Sequence, residues 1–292
     1  MKRKITLAVV CCLMLFVWPA LAGQTEQKGT LLVAFGTSME SATASLKAID
    51  RAYQDGNPVL FAYTSDIIRK KLEKNGVSAL SVNAAMNECA RLGIRELRIQ
   101  SLHVTSGEEY SQLERMIVRN LVAHPGRFAH VFLGHPLLES ERDLNDVVEA
   151  VLADLETDRK PGDAVVLMGH GNDRGPGDLV MAAAHTAFNT RDPLVFLATV
   201  EGANSFDRIL PGLQRLGVER VWLQPFMIVA GDHASNDLAG PEEDSWASRL
   251  KRAGMTPLPR LKGLGDIEGV RAVFVRHTAD TTDDIANSKK SE

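Results

Sequence analysis

Residues 166–171 read "VLMGHG", and residues 31–36 read "LLVAFG". Each is an apolar run closing on a glycine, and the two lie at an offset of 135 positions (171 against 36). The same offset lays "PLVFLAT" (193–199) on "PVLFAYT" (58–64). An offset of 124 lays Leu216-Gly217-Val218 on Leu92-Gly93-Ile94, Gln224 on Gln100 and Gly231 on Gly107. Three units recur in the same order, so the chain reads as written twice. Within each copy, short continuous apolar runs alternate with amphipathic stretches, as between Leu31–Phe35 and Pro58–Tyr63. Strands without polar alternation, separated by helices, are those of a parallel sheet covered on both faces. The expected fold is therefore α/β: two similar lobes, each a parallel sheet flanked by helices, over 28–160 and 161–275, facing across a cleft.

The repeat singles out three residues. His170 stands where the first half has Phe35, His233 where it has Glu109, and Glu201 where it has Asp66. All three follow strand-like runs, and the carboxyl ends of parallel strands share the edge where α/β sheets bind ligands. Two imidazoles and a carboxylate suit cobalt, iron, nickel or zinc. The alternative is that they are ordinary loop and cap groups. Asp232 is a candidate to orient His233. Other chemistry is poorly supported. Residues 171–177 are glycine-rich but lack the P-loop lysine and the dinucleotide spacing, so no nucleotide is expected. No G-x-S-x-G elbow occurs. Leu210-Pro211-Gly212 reads as a bend.

The ends read differently from the middle. Lys2-Arg3-Lys4, the apolar run Ile5–Trp18 and Pro19-Ala20-Leu21-Ala22 form a secretory signal with cleavage after Ala22. The apolar run is short for a membrane anchor, which needs about 20 residues. The mature chain is then expected in the periplasm and not in the membrane. Only Cys89 remains after cleavage, so an internal disulfide is excluded and the fold must stand on its core. The net charge of −4 gives no reason to expect nucleic acid. Residues 278–292 are small and polar and read as a disordered tail.

"LLVAFGTS", "QSLHVTSGEEY", "GHG", "VEG" and "QPFMIVAGDHASNDLAG" together resemble the anaerobic sirohydrochlorin cobaltochelatases, relatives of protoporphyrin ferrochelatase. The resemblance runs from about Gly29 to Val275. It implies ATP-independent insertion of Co(II), and possible use of Fe(II), in sirohydrochlorin on the route to cobalamin. It also implies that His170, Glu201 and His233 hold the metal between two lobes, with His170 and His233 catalytic. A flat substrate with many carboxylates calls for an apolar wall and basic groups at the rim. Phe226 and Met227 are candidates for the wall, with Trp222 better read as core, and Arg174 and Arg191 for the rim. The family's biosynthetic work is cytoplasmic, which sets the export signal apart. An exported metal or tetrapyrrole carrier on the same scaffold is the alternative. Haem ligation by an exposed histidine, His124 or His103, belongs to that reading, and a homo-oligomer is compatible with it.

Overall fold

The computed structural model describes residues 26–39, 42–171 and 177–288. Residues 1–22, read above as a secretory signal, and Arg174 lie outside the described residues. The first half supplies β1 (Lys28–Ala34), β2 (Val59–Tyr63), β3 (Glu96–Ser101) and β4 (His130–Gly134). The second supplies β5 (Ala164–Gly169), β6 (Val195–Thr199), β7 (Arg220–Pro225) and β8 (Thr256–Pro259). Each set forms an all-parallel four-stranded sheet, in the orders β2-β1-β3-β4 and β6-β5-β7-β8. The two orders are the same once the repeat is allowed for. The register of the first pair differs by one residue between the lobes: Leu32 pairs with Phe61, whereas its counterpart Leu167 pairs with Leu197.

The apolar runs work because every strand is covered twice. Alternate side chains of a strand face opposite sides. Leu31 and Val33 enter a core under α3 (Val82–Arg91) and α4 (Glu108–Ala123), while Leu32 and Ala34 enter a second core. That second core also takes Val165 and Leu167 from β5, so it lies between the two sheets and belongs to both. Ala164, Val166 and Met168 point the other way, into a third core lined by Phe206 and Trp246.

The boundary at 160/161 separates the sheets but not the helices. Helix α5 (Glu141–Glu156) closes the first half in sequence, yet packs on α6 (Gly177–Arg191) of the second. Helix α9 (Glu268–Asp280) closes the second half and returns to cover β3 and β4 of the first. Val147 and Val151 of α5 and Val270 and Phe274 of α9 are fully or almost fully buried in the shared core.

Two expectations are corrected. The chain from 278 is not a disordered tail as far as Ser288. Thr278 and Asp280 are in α9, and Asp284 then bridges Phe132 antiparallel at the open edge of β4. Ile285 N–H donates to Val131 O at 2.9 Å and Asn287 donates to Ala129 O at 2.8 Å. The segment is largely polar because it covers the sheet edge mainly by backbone and side-chain hydrogen bonds, with Ile285 and Ala286 packed on the first-lobe core. Pro211, read as a bend, lies inside α7 (Phe206–Arg215). Burial of Phe206, Ile209 and Leu213 on one face carries this helix through the one hydrogen bond the proline removes. No described helix is long and apolar enough to cross a membrane.

Candidate active site

A cavity opens between the lobes at the carboxyl ends of β1, β3, β5 and β7. His170, Gly171 and His233 line it from the second lobe, and Phe35, His103 and Glu109 from the first. Gly171 and Gly36 are equivalent by the repeat, and both take positive φ (80° and 106°). At Gly171 a side chain is also excluded by space. A Cβ there would sit 2.0 Å from Glu201 O. The chain after β6 can therefore press against the chain after β5, and Glu201 N–H donates to His170 O at 2.8 Å.

His170 and His233 come together. Their ring centroids are 5.0 Å apart and nearly perpendicular. His170 Nδ1 is 3.0 Å from Gly171 O. His233 precedes a π-helical turn, Ala234–Leu238, and its Nδ1 is 2.5 Å from Asp237 Oδ2. A carbonyl and a carboxylate can only accept, so in both rings Nδ1 carries the hydrogen. In the neutral rings both Nε2 atoms then carry lone pairs. This is how protein-bound imidazoles are prepared for a metal: the far nitrogen is pinned and the near one is made basic. The orienting carboxylate is Asp237, one turn beyond His233. Asp232 instead approaches Lys71 across the cleft at 3.8 Å.

The other expected residues fall in different places. The Glu201 side chain is exposed and does not line the cavity. Among the described residues, no three His, Cys, Asp or Glu side chains are grouped closely enough to hold a metal. Two carboxylates do line the cavity: Asp232, beside His233 on the same lobe, and Glu109, which faces the histidines from the other. The latter follows the repeat directly, since Glu109 is the counterpart of His233, and a repeat-based reading that asked what the first lobe contributes would have found it. Phe226 and Met227 both line the cavity, Phe226 as a buried wall packed edge-on against Phe188. Trp222 does not line it, and its Nε1 donates to Asp163 at 2.8 Å.

Arg191 is not at the cleft. It ends α6, donates to Asn145 Oδ1 at 2.9 Å, and lines a separate groove with Glu149 and Glu156. A residue at the carboxyl end of a helix that follows β5 is carried to the far end of the sheet, away from the ligand edge. His124 is an exposed helix end whose Nδ1 lies 3.1 Å from Asn120 O. His103 is only 9% exposed, so it does not meet the premise of an exposed haem ligand. Burial pushes its pKa down to about 4.

Known proteins resemble this chain along most of its length. The model of the family described as cobalt chelatase (CbiK) matches residues 28–283. Sirohydrochlorin cobaltochelatase CbiKC of Nitratidesulfovibrio vulgaris is 35% identical over 254 residues, 86% of this chain and 89% of that protein. Sirohydrochlorin cobaltochelatase of Salmonella typhimurium is 34% identical over 256 residues, 86% of this chain and 95% of that protein. Among solved structures, SirB from Bacillus subtilis with Fe3+ superposes with a TM-score of 0.63 at 15% identity, covering 91% of this chain and 98% of its own. A cobalt complex of the SirB sirohydrochlorin chelatase from the subspecies spizizenii gives 0.60 at 13%, covering 87% and 94%. At those identities the structural matches speak for the fold.

Proposed function

Because the chain belongs to the CbiK cobalt chelatase family, we infer that it is a sirohydrochlorin cobaltochelatase. It inserts Co(II) into the ring and needs no nucleotide. The observation that carries the chemistry is the pair of imidazoles with matched tautomers, His170 and His233, in a cavity between two lobes.

We assign the incoming metal to these two Nε2 atoms. Two protein ligands leave coordination positions open, which pyrrole nitrogens can fill as the metal passes to the ring. Each insertion releases two pyrrole protons. Glu109 faces the cavity from the opposite lobe and is placed to take one. An imidazole that has given up the metal regains a free lone pair and can take the other. Glu201 is kept as a candidate third ligand, because its backbone is bonded to His170 although its carboxylate is exposed. Apolar side chains such as Phe35, Phe226 and Met227 give a flat macrocycle its wall.

The export signal supports a site of action outside the cytoplasmic membrane. A carrier role on the same scaffold is the weaker reading, since the curated relatives are named for metal insertion. The test is steady-state metallation of sirohydrochlorin, followed by absorbance, with Co(II), Fe(II) and Ni(II). The double substitution His170→Ala/His233→Ala should remove most turnover while leaving the circular dichroism spectrum unchanged. A well-folded double variant with wild-type rates would overturn the assignment, and tight substrate binding without any turnover in the wild type would favour the carrier.

A further inference from the structure

His103 is the imidazole of the cavity that metal insertion as described leaves unused. It follows β3 on the first lobe and lines the same cavity as His170 and His233. It is nine-tenths buried, and its Nε2 meets no partner among the described residues. Native folds rarely leave a buried polar nitrogen unpaired without a use for it.

The hydrogen on this ring can be placed. Nδ1 lies 2.9 Å from the hydroxyl of Ser101, which is fully buried. The backbone N–H of His103 also donates to that hydroxyl oxygen, at 3.3 Å. Among the described residues, the hydroxyl hydrogen of Ser101 has His103 Nδ1 as its acceptor. Were Nδ1 protonated, the hydroxyl would be left with nowhere to donate. Ser101 therefore donates, Nδ1 accepts, and the hydrogen sits on Nε2. This is the reverse of His170 and His233, whose Nε2 atoms carry lone pairs. His103 is accordingly a donor rather than a metal ligand. Burial, by pushing its pKa down to about 4, keeps it a neutral donor at physiological pH.

We propose that His103 is a substrate-contacting residue whose Nε2–H donates to a carboxylate oxygen of the tetrapyrrole, holding the ring from the lobe opposite the metal-bearing pair. The identity of the ligand rests on the chelatase reading above. A carboxylate is the strongest acceptor such a ring carries. Among the described residues that line the cavity there is no lysine or arginine to take it, and Lys71, which reaches the cleft, faces Asp232.

The test uses the full mature protein with four variants: His103→Phe, His103→Gln, Ser101→Ala, and the double Ser101→Ala/His103→Phe. The double variant removes the serine that a lone phenylalanine would strand. Binding of metal-free sirohydrochlorin is titrated by absorbance, and KM and kcat are measured for Co(II) insertion. Loss of a hydrogen bond to a charged acceptor should raise both Kd and KM about tenfold or more in the phenylalanine variants. The expected change in kcat is within about threefold. His103→Gln places an amide N–H at similar reach and should recover most of the lost affinity, which a purely structural role would not do. Ser101→Ala frees the tautomer and should give an intermediate loss. A folded double variant with wild-type Kd and KM would overturn the proposal, as would a loss confined to kcat. If the wild type itself neither binds nor metallates sirohydrochlorin, the chelatase reading fails and this inference falls with it, so the two failures are distinguishable.

Discussion

Asp237 decides whether His233 presents a lone pair or a hydrogen to the cavity. Its carboxylate accepts from Nδ1 at 2.5 Å, from a position four residues on in the π-helical turn. In Asp237→Ala nothing fixes which ring nitrogen carries the hydrogen, and the ring is free to turn. The pair is 42% and 45% exposed, so its share in stability is small, about 0.5 kcal/mol. Its share in function is larger. Loss of a group that orients a metal-binding histidine costs about 10–100-fold in affinity or activity, or roughly 1.4–2.7 kcal/mol. Asp237→Asn keeps an acceptor oxygen and loses the charge, so its deficit should stay below about tenfold. The assay pairs equilibrium Co(II) binding with kcat/KM for metallation, with thermal melting as the folding control. The signature is a large functional loss at nearly constant Tm. An alanine variant with wild-type Co(II) affinity and kcat/KM would refute the reasoning, because the tautomer argument for both histidines would then have no consequence.

The two candidate carboxylates should separate in the same assays. Glu109→Gln is expected to lower kcat by about 10²-fold or more while leaving Co(II) affinity near wild type, whereas Glu201→Gln should weaken Co(II) binding, by less than the loss of either histidine does. Stability in acid should depend on Asp143. Burial pushes its carboxyl up, but bonds from Ser140, His277 and Arg276 outweigh that and hold it at about 2. A folded-state value below the unfolded one, about 3.9, stabilises the fold above that pH and is lost as pH falls toward 2. The contribution is about 2 kcal/mol, and Asp143→Asn should both lower Tm at neutral pH and flatten the acid limb, as followed by circular dichroism. Mass spectrometry of the native protein should find Gly23 at the amino terminus, and an intact Met1 would count against export.

Much of this architecture was legible because parallel strands buried on both faces leave unbroken apolar runs, and a duplicated chain shows its registers twice. His170 and His233 were legible for the same reason, as departures from the repeat at strand ends. What was hidden depends on side-chain direction and long-range return. Glu201 follows β6 where a ligand should, but its backbone, not its carboxylate, meets His170. The exchange of α5 and α9 between lobes has no local signal, since a helix records that one face is apolar and not which sheet receives it. The edge segment 281–288 is held on β4 by hydrogen bonds that Thr281, Asp284, Ile285 and Asn287 make, and its composition gives no hint of that.

The repeat also explains why the cavity is asymmetric. Equivalent strand ends carry Phe35 against His170 and Glu109 against His233, and all four line the one cavity. Had the positions of Phe35 and Glu109 also carried metal-ligating imidazoles, a metal would be held from two sides and shielded from the ring. With both proposed nitrogen ligands, His170 and His233, on one lobe, the metal would be offered from one face only. On the same proposal the other lobe would supply what the ring needs: an apolar surface at Phe35, which is 51% exposed, and a carboxylate at Glu109 to take a proton. A metal carried on one wall and released toward the other is the arrangement that lets holding and transfer occur in the same cavity. Phe35→His tests this. A further imidazole at the strand end opposite His170 should tighten Co(II) binding by about tenfold or more and slow its transfer to the ring, seen as a lower kcat. A faster enzyme would show that the asymmetry between the lobes does not serve release.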